Sequence, residues 1–140
     1  MQELNVATGL KEYNINGKCT VLFNPTDPAF VERVFNTFNT LDEKADVYGK
    51  QISEENDGAK LFEIARTMDK EMRGMIDNAL GCAVCDPVFG NISVYAVADG
   101  LPLWANLLLA VIEEMDDAFA REKKASNPRL QKYTEKFKKK

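Results

Sequence analysis

The strongest constraint on the fold is an apolar repeat between residues 61 and 79. Leu, Ala and Met side chains recur there at steps of four and three residues for nearly three heptads. The members are Leu61, Ala65, Met68, Met72, Met75 and Ala79, with Ile64 and Ile76 widening the stripe. This spacing places them on one face of a helix, which must pack against other helices or another chain. It predicts a helix from Ser53 or Gly58 to Leu80 within a helical bundle.

Two further apolar stripes predict helices on either side of this one. Asp27 and Pro28 have the residue types of an N-cap and a first helical residue. The stripe that follows is Phe30, Val31, Val34, Phe35, Phe38 and Leu41. The last helix begins near Pro102, and its apolar face is Leu103, Trp104, Leu107, Leu108, Val111, Ile112, Met115 and Phe119. A face this broad predicts that the last helix is buried on more than one side. Between the first two helices, the polar residues 44–57 predict a loop or frayed turn.

The N-terminal region, about residues 4–23, has the pattern of a β-hairpin. A two-residue loop at Asn16-Gly17 would align Tyr13 with polar side chains of the second strand. A three-residue loop, with Gly17 in the left-handed conformation, aligns Tyr13 instead with apolar residues such as Val21. Burial favours the three-residue loop. Because two strands are marginal alone, the hairpin must pack on helices or pair with another chain.

The segment from Gly81 to Gly100 is the least regular part of the sequence. Residues 92–98 suit a short strand or one to two helical turns, and we favour helix because no sheet partner other than the hairpin is evident. The length of 140 residues suits one domain. The sequence thus predicts a mainly α (α+β) fold, a small helical bundle with an N-terminal β-hairpin, over residues 1–120, followed by a basic tail over residues 121–140.

Positive and negative charges are concentrated in different parts of the chain. The last twenty residues contain nine basic and two acidic residues, a net charge of +7, although the whole chain has a formal net charge of −4. Such a tail can bind nucleic acid, an anionic membrane or an acidic protein. Its apolar residues are few, namely Leu130, Tyr133 and Phe137, so we expect a solvated extension that is frayed or partly disordered. An acidic protein is favoured over nucleic acid because the acidic body would repel phosphates, and we expect no membrane partner. A small cytoplasmic adaptor or regulator acting through the tail is one alternative function.

The three cysteines, Cys19, Cys82 and Cys85, are an odd number, which argues against a disulfide framework. Cys82 and Cys85 have the C-x-x-C spacing of redox and zinc sites. A zinc site would need a carboxylate such as Asp86 as its fourth ligand, and a redox pair would need a helix N-terminus before it, where Leu80-Gly81 indicates a helix end. We expect small buried apolar side chains, and a Cys-based metal or redox protein is a further alternative.

The residue constellations of common enzymes are missing from the sequence. There is no histidine, which removes the usual catalytic triads and His-based metal sites. No Gly-rich phosphate loop or nucleophile elbow is present, and the acidic pairs Glu113-Glu114 and Asp116-Asp117 suit a solvated helix face. No apolar run reaches the roughly 18 residues of a membrane span, and the start lacks a signal-peptide pattern. We expect a non-enzymatic cytoplasmic protein without a cofactor.

Short motifs occur in a characteristic order along the chain. They are Met75-Ile-Asp-Asn-Ala-Leu-Gly, then Asp86-Pro-Val-Phe-Gly-Asn-Ile-Ser-Val-Tyr, then Asp99-Gly-Leu-Pro-Leu-Trp and the apolar run to Ile112. The order is a helix that ends in this way, then a Val-Phe-Gly turn, then a final apolar helix. In this order of motifs the chain resembles tail assembly chaperones of long-tailed phages and prophages of Gram-positive bacteria. The opening looks similar too, with a hairpin and then Phe23-Asn-Pro-Thr-Asp-Pro leading into an aromatic helix.

This resemblance implies a protein of the host cytoplasm that holds a long helical tape measure protein while tail-tube subunits polymerise around it. Flexible thioethers on a helical seam, an apolar last helix and a free hairpin edge suit reversible binding of an amphipathic helix. We therefore expect the tape measure protein as partner, tail-tube subunits as a further partner, and a homo-oligomer. The candidate partner-binding residues are Met68, Met72, Met75, Phe89, Trp104, Leu107, Leu108 and Val111. Packing in an ordinary core is the simpler interpretation of each of them.

Overall fold

A computed structural model describes residues 1–125, 127–130 and 132 of the chain. Its elements are β1 (Lys11–Ile15), β2 (Cys19–Phe23), α1 (Pro28–Glu54), α2 (Gly58–Leu80), α3 (Cys85–Phe89), β3 (Val97–Ala98), β4 (Leu101–Pro102) and α4 (Leu103–Lys124). The predicted mainly α fold with an N-terminal β-hairpin is confirmed. None of the helices in these ranges is long and apolar enough to cross a membrane.

The hairpin has the three-residue loop that burial favours. Tyr13 lies opposite Val21 and Ile15 opposite Cys19, so residues 16–18 form the loop, and Gly17 has a φ of +71°. Residues 1–10 form no strand, and the predicted start of β structure near residue 4 is wrong. The reason is that β2 ends opposite Lys11 and the chain then turns into α1, so the preceding residues have no strand to pair with.

A stack of three aromatic rings fixes the hairpin on the helices. The rings of Tyr13 and Phe23 have centroids 4.4 Å apart, and Phe30 of α1 continues the stack at the same distance. Phe23 and Phe30 are buried, which supplies the burial that an isolated two-stranded hairpin lacks. Phe35, which the predicted α1 stripe included, is 44% exposed and lies outside the core.

The two long helices begin with the same kind of cap. Asp27 is the N-cap of α1 and accepts a hydrogen bond from a backbone N–H at 3.0 Å, with Pro28 as the first helical residue, as predicted. Asp57 caps α2 in the same way at 2.9 Å. Gly81 ends α2 with a φ of +80°, a left-handed conformation that glycine adopts without strain.

Helix α1 is longer than its sequence indicated. It continues to Glu54, so the loop or frayed turn predicted over residues 44–57 is wrong, and the connection to α2 contains only residues 55–57. Ala45, Tyr48 and Ile52 follow one another at helical spacing and are half-buried. Because these three side chains pack on one face, the otherwise polar segment remains helical.

The hydrophobic core lies at one end of the α1–α2 pair. The buried residues of α4 are Trp104, Ala105, Leu107, Leu108, Val111, Met115 and Ala118, which confirms the predicted start of the last helix and most of its apolar face. Phe119, which the predicted face included, is 49% exposed and lies outside the core. Leu41 is the last buried residue of α1 and Met72 the first of α2. From residue 42 to residue 71 no side chain is buried. The α1–α2 pair therefore projects beyond the core as a two-helix arm.

A polar row on α2 holds the connection between α2 and α4. Asp77 accepts hydrogen bonds from the backbone N–H groups of Val84 and Cys85 at 2.9 and 3.0 Å. One turn earlier, Arg73 pairs with Asp86 at 2.8 Å and donates to a backbone carbonyl in the connection. A further turn earlier, Asp69 accepts from the N–H of Val94 at 2.8 Å. These side chains are four residues apart, so they share one face of the helix.

This row explains why residues 92–98 are not helical, contrary to our expectation. Val94 is fully buried and its N–H bonds to a side chain of α2 rather than to a carbonyl four residues before it. The Val94 carbonyl accepts from the N–H of Trp104 at 3.1 Å. The backbone is therefore held by partners outside the segment, and Val97–Ala98 pairs only with Leu101–Pro102 in a two-stranded turn.

The predicted boundary between domain and tail falls within α4, which continues to Lys124. Three basic residues lie in the last turn of α4, where positive charge stabilises the end of a helix. Of the apolar residues predicted for the tail, Leu130 is 76% exposed. Tyr133 and Phe137 lie outside the described residues.

Replacing the carboxylate at the end of the polar row should destabilise the fold. Asp77→Ala leaves two backbone N–H groups without their acceptor, and we expect it to lower the free energy of unfolding by about 2 kcal/mol. Urea titration followed by the fluorescence of the single tryptophan, Trp104, measures this. Asp42→Ala, at an exposed position of α1, is the matched control. Equal stability of the two variants would contradict the role given to Asp77.

Candidate protein-binding surfaces

The eight candidate partner-binding residues divide into two groups by burial. Five are at most 7% exposed and pack in the core, namely Met72, Trp104, Leu107, Leu108 and Val111. The other three, Met68, Met75 and Phe89, are half-buried. Met75 and Phe89 pack against the edge of the core, whereas Met68 lies on the two-helix arm. In this conformation a partner can reach the second group far more readily than the first.

An apolar stripe lies between α1 and α2 along the two-helix arm. Its residues are half-buried and come from both helices: Ala45, Tyr48, Ile52, Leu61, Ile64, Ala65 and Met68. We call this stripe the open seam. A groove of about 450 Å³ runs beside it, in which Ile64 and Met68 are flanked by Glu55, Lys60 and Glu63. The open seam thus has an apolar floor and charged margins.

Contacts at the base of the arm hold the seam in place. The rings of Tyr48 and Tyr95 stack with centroids 4.3 Å apart, which joins α1 to the connection before α4. Lys44 and Glu71 form an ion pair across α1 and α2 at 3.1 Å. The sequence repeat identified the α2 half of the seam through Met68. It missed the α1 half, because Ala45, Tyr48 and Ile52 are spread through a polar segment.

A second open surface lies between the hairpin and α4. Residues 13–16 of β1 and its turn line the hairpin side together with Val21 and Phe23 of β2, and residues 107–114 of α4 line the other side. Its volume is about 230 Å³ and its lining is largely apolar. We call it the hairpin groove. Leu107 and Val111 were predicted as partner contacts, and their buried side chains form part of the wall of this groove.

A hydrogen-bonded triad closes one end of the hairpin groove. The Tyr13 hydroxyl donates to the Glu114 carboxylate, and the Arg121 guanidinium donates to the same oxygen, Oε2, at 2.8 Å. Both hydrogen bonds lower the pKa of Glu114, and the one from Arg121 has the larger effect. Burial, followed by the contact with Glu114, raises the pKa of Tyr13 to about 12. Glu114 therefore differs from the solvated acidic face predicted for this helix, whereas Glu113 is exposed as expected.

The cysteines do not form the predicted buried group. Cys85 is fully buried, Cys19 is half-buried and Cys82 is exposed, and all three are free. The short helix α3 directs Cys85 into the core, away from Cys82. Burial, then the proximity of Cys19 and Asp77, raises the pKa of the Cys82 thiol, which is opposite to the shift of a reactive thiolate. Across residues 1–125, 127–130 and 132, no three Cys, Asp or Glu side chains are grouped as metal ligands.

Comparison with the models of known protein families gives no match, and neither curated proteins nor solved structures are significantly similar to the chain. The motif resemblance therefore stays a prediction.

The triad at the hairpin groove predicts a pH-dependent stability difference. Because the folded state lowers the pKa of Glu114, its carboxylate stabilises the fold above the ordinary value of 4.5, and this contribution is lost as the pH falls through the lowered pKa. We expect Glu114→Gln to be less stable than the wild type at pH 7, with a difference that shrinks under acidic conditions. Thermal unfolding at several pH values measures it, with Glu113→Gln as control. A difference that persists in acid would contradict this account.

Proposed function

We propose that this protein is a non-enzymatic tail assembly chaperone that binds a long helical tape measure protein in the host cytoplasm. The observation that carries the proposal is the open seam on the two-helix arm. Two antiparallel helices with a shared apolar stripe can accept a third amphipathic helix, as in a three-stranded coiled coil. The motif resemblance supplies the identity of the partner.

The size of the seam suits a weak and reversible contact. On α2 the seam extends from Leu61 to Met68, which at 1.5 Å per residue is about 10 Å, or two turns of a partner helix. Its side chains are already half-buried, so binding removes only part of their surface from water. Each copy therefore contributes a modest binding free energy. Copies that also contact one another would hold one long chain more strongly, because each contact after the first is then intramolecular.

The charge of the arm selects the kind of helix that fits. Residues 42–71 contain nine acidic and five basic residues, a net charge of −4. A partner helix with basic side chains beside its apolar face would complement the charged margins of the seam. Because these margins are exposed, added salt should weaken binding by screening the charges.

Capture from cells that express the native gene cluster tests the proposal. The tagged full-length protein should recover one very long, helix-rich chain, identified by mass. Met68→Glu places a charge in the half-exposed seam, and we expect it to reduce recovery at least about tenfold, a loss of roughly 1.4 kcal/mol in binding. Circular dichroism checks that the variant is folded.

Val47→Glu is the matched control for the capture experiment. Val47 lies on the same arm and is 54% exposed, but it is outside the seam. We expect this variant to recover the long chain as the wild type does. Recovery of nucleic acid in place of a protein, no long helical chain, or equal recovery with Met68→Glu would each contradict the proposal.

A further inference from the structure

The first residues of the chain form an exposed extension that carries apolar side chains. Residues 1–10 are all exposed and have no regular secondary structure. Leu4 is 93% and Val6 is 79% exposed. These side chains alternate with polar residues, which in an extended chain places them on the same face. Covering this apolar face removes it from water and so lowers the free energy.

The base of this extension is fixed near the C-terminal end of α4. The Asn24 side-chain amide donates to the Thr8 carbonyl at 2.8 Å. Gly9 has a φ of +73°, and a Cβ there would lie 2.5 Å from the same amide nitrogen. Residues 7–9 lie beside Ala118 and Glu122, near the C-terminal end of α4.

The hairpin groove is a fitting receptor for an extended apolar segment. Within the described part of the chain β1 pairs only with β2, so no strand bonds to the backbone of its other edge. The groove lies along residues 13–16 and is largely apolar, with a volume of about 230 Å³. Roughly 150 Å³ is enough to hold a molecule of benzene in an apolar cavity. The groove therefore has room for an aliphatic side chain such as that of Leu4.

We propose that residues 1–7 of one copy bind in an extended conformation in the hairpin groove of a second copy, with Leu4 and Val6 against Ile15 and Ala110. Strand addition of this kind combines backbone hydrogen bonds with pockets for alternate side chains. Each copy has one extension and one groove, so the contact is head-to-tail unless two copies exchange extensions. The proposal is independent of the open seam, which lies on other elements.

Self-association of the purified full-length protein tests this contact without any partner present. We expect the wild type to form dimers or larger species in sedimentation velocity as the concentration rises. The double variant Leu4→Asp with Val6→Asp should weaken association at least about tenfold. Both side chains are largely exposed, so the variant should fold as the wild type does.

Two further variants complete the test. Ala110→Glu places a charge at an exposed position of the groove and should weaken association to the same extent. The double variant Ile92→Asp with Leu101→Asp removes two exposed apolar side chains elsewhere and should associate as the wild type does. A wild type that stays monomeric at every concentration, or Leu4 and Val6 variants that associate normally, would overturn the proposal.

Discussion

The structure depends on the carboxylates of α2 that hold the connection to α4. Asp77 and Asp69 accept hydrogen bonds from backbone N–H groups in this connection. They fix its path along α2 and therefore the point at which Trp104 enters the core. Since α4 starts there and runs back toward the hairpin, it covers only one end of the α1–α2 pair. The other end is left as a two-helix arm, and the open seam is a direct consequence.

The two open surfaces have different origins and different properties. The open seam exists because two helices extend beyond the reach of a third, and its margins are charged. The hairpin groove exists because the two-stranded sheet contacts α4 but does not pack against its full length. The lining of this groove is largely apolar. A charged-edged seam fits an amphipathic helix, whereas an apolar groove beside a strand edge fits an extended segment. The two proposals therefore place the helical partner and the second copy on separate surfaces of one chain.

Local chemistry allowed part of this structure to be predicted from sequence. The cap at Asp27, the loop at Gly17 and the face of α4 follow from side-chain geometry and spacing within a few residues. Residues 92–98 were predicted wrongly because Asp69, some twenty-five residues earlier, supplies their hydrogen-bond acceptor. Among the candidate contacts, Met68 and Met72 share one apolar stripe, yet only Met72 is fully buried. A sequence repeat defines the face of a helix but not how far other helices cover it.

The most direct test of the central claim, that a partner helix binds the open seam while the core stays closed, is methyl NMR of the methionines in the free protein and in the captured complex. Met68 is on the seam, whereas Met72 and Met115 are in the core. The account predicts that the Met68 methyl signal shifts and becomes protected from a soluble paramagnetic agent, while the Met72 and Met115 signals stay unchanged. An unchanged Met68 signal, or equal changes at Met72 and Met115, would contradict it.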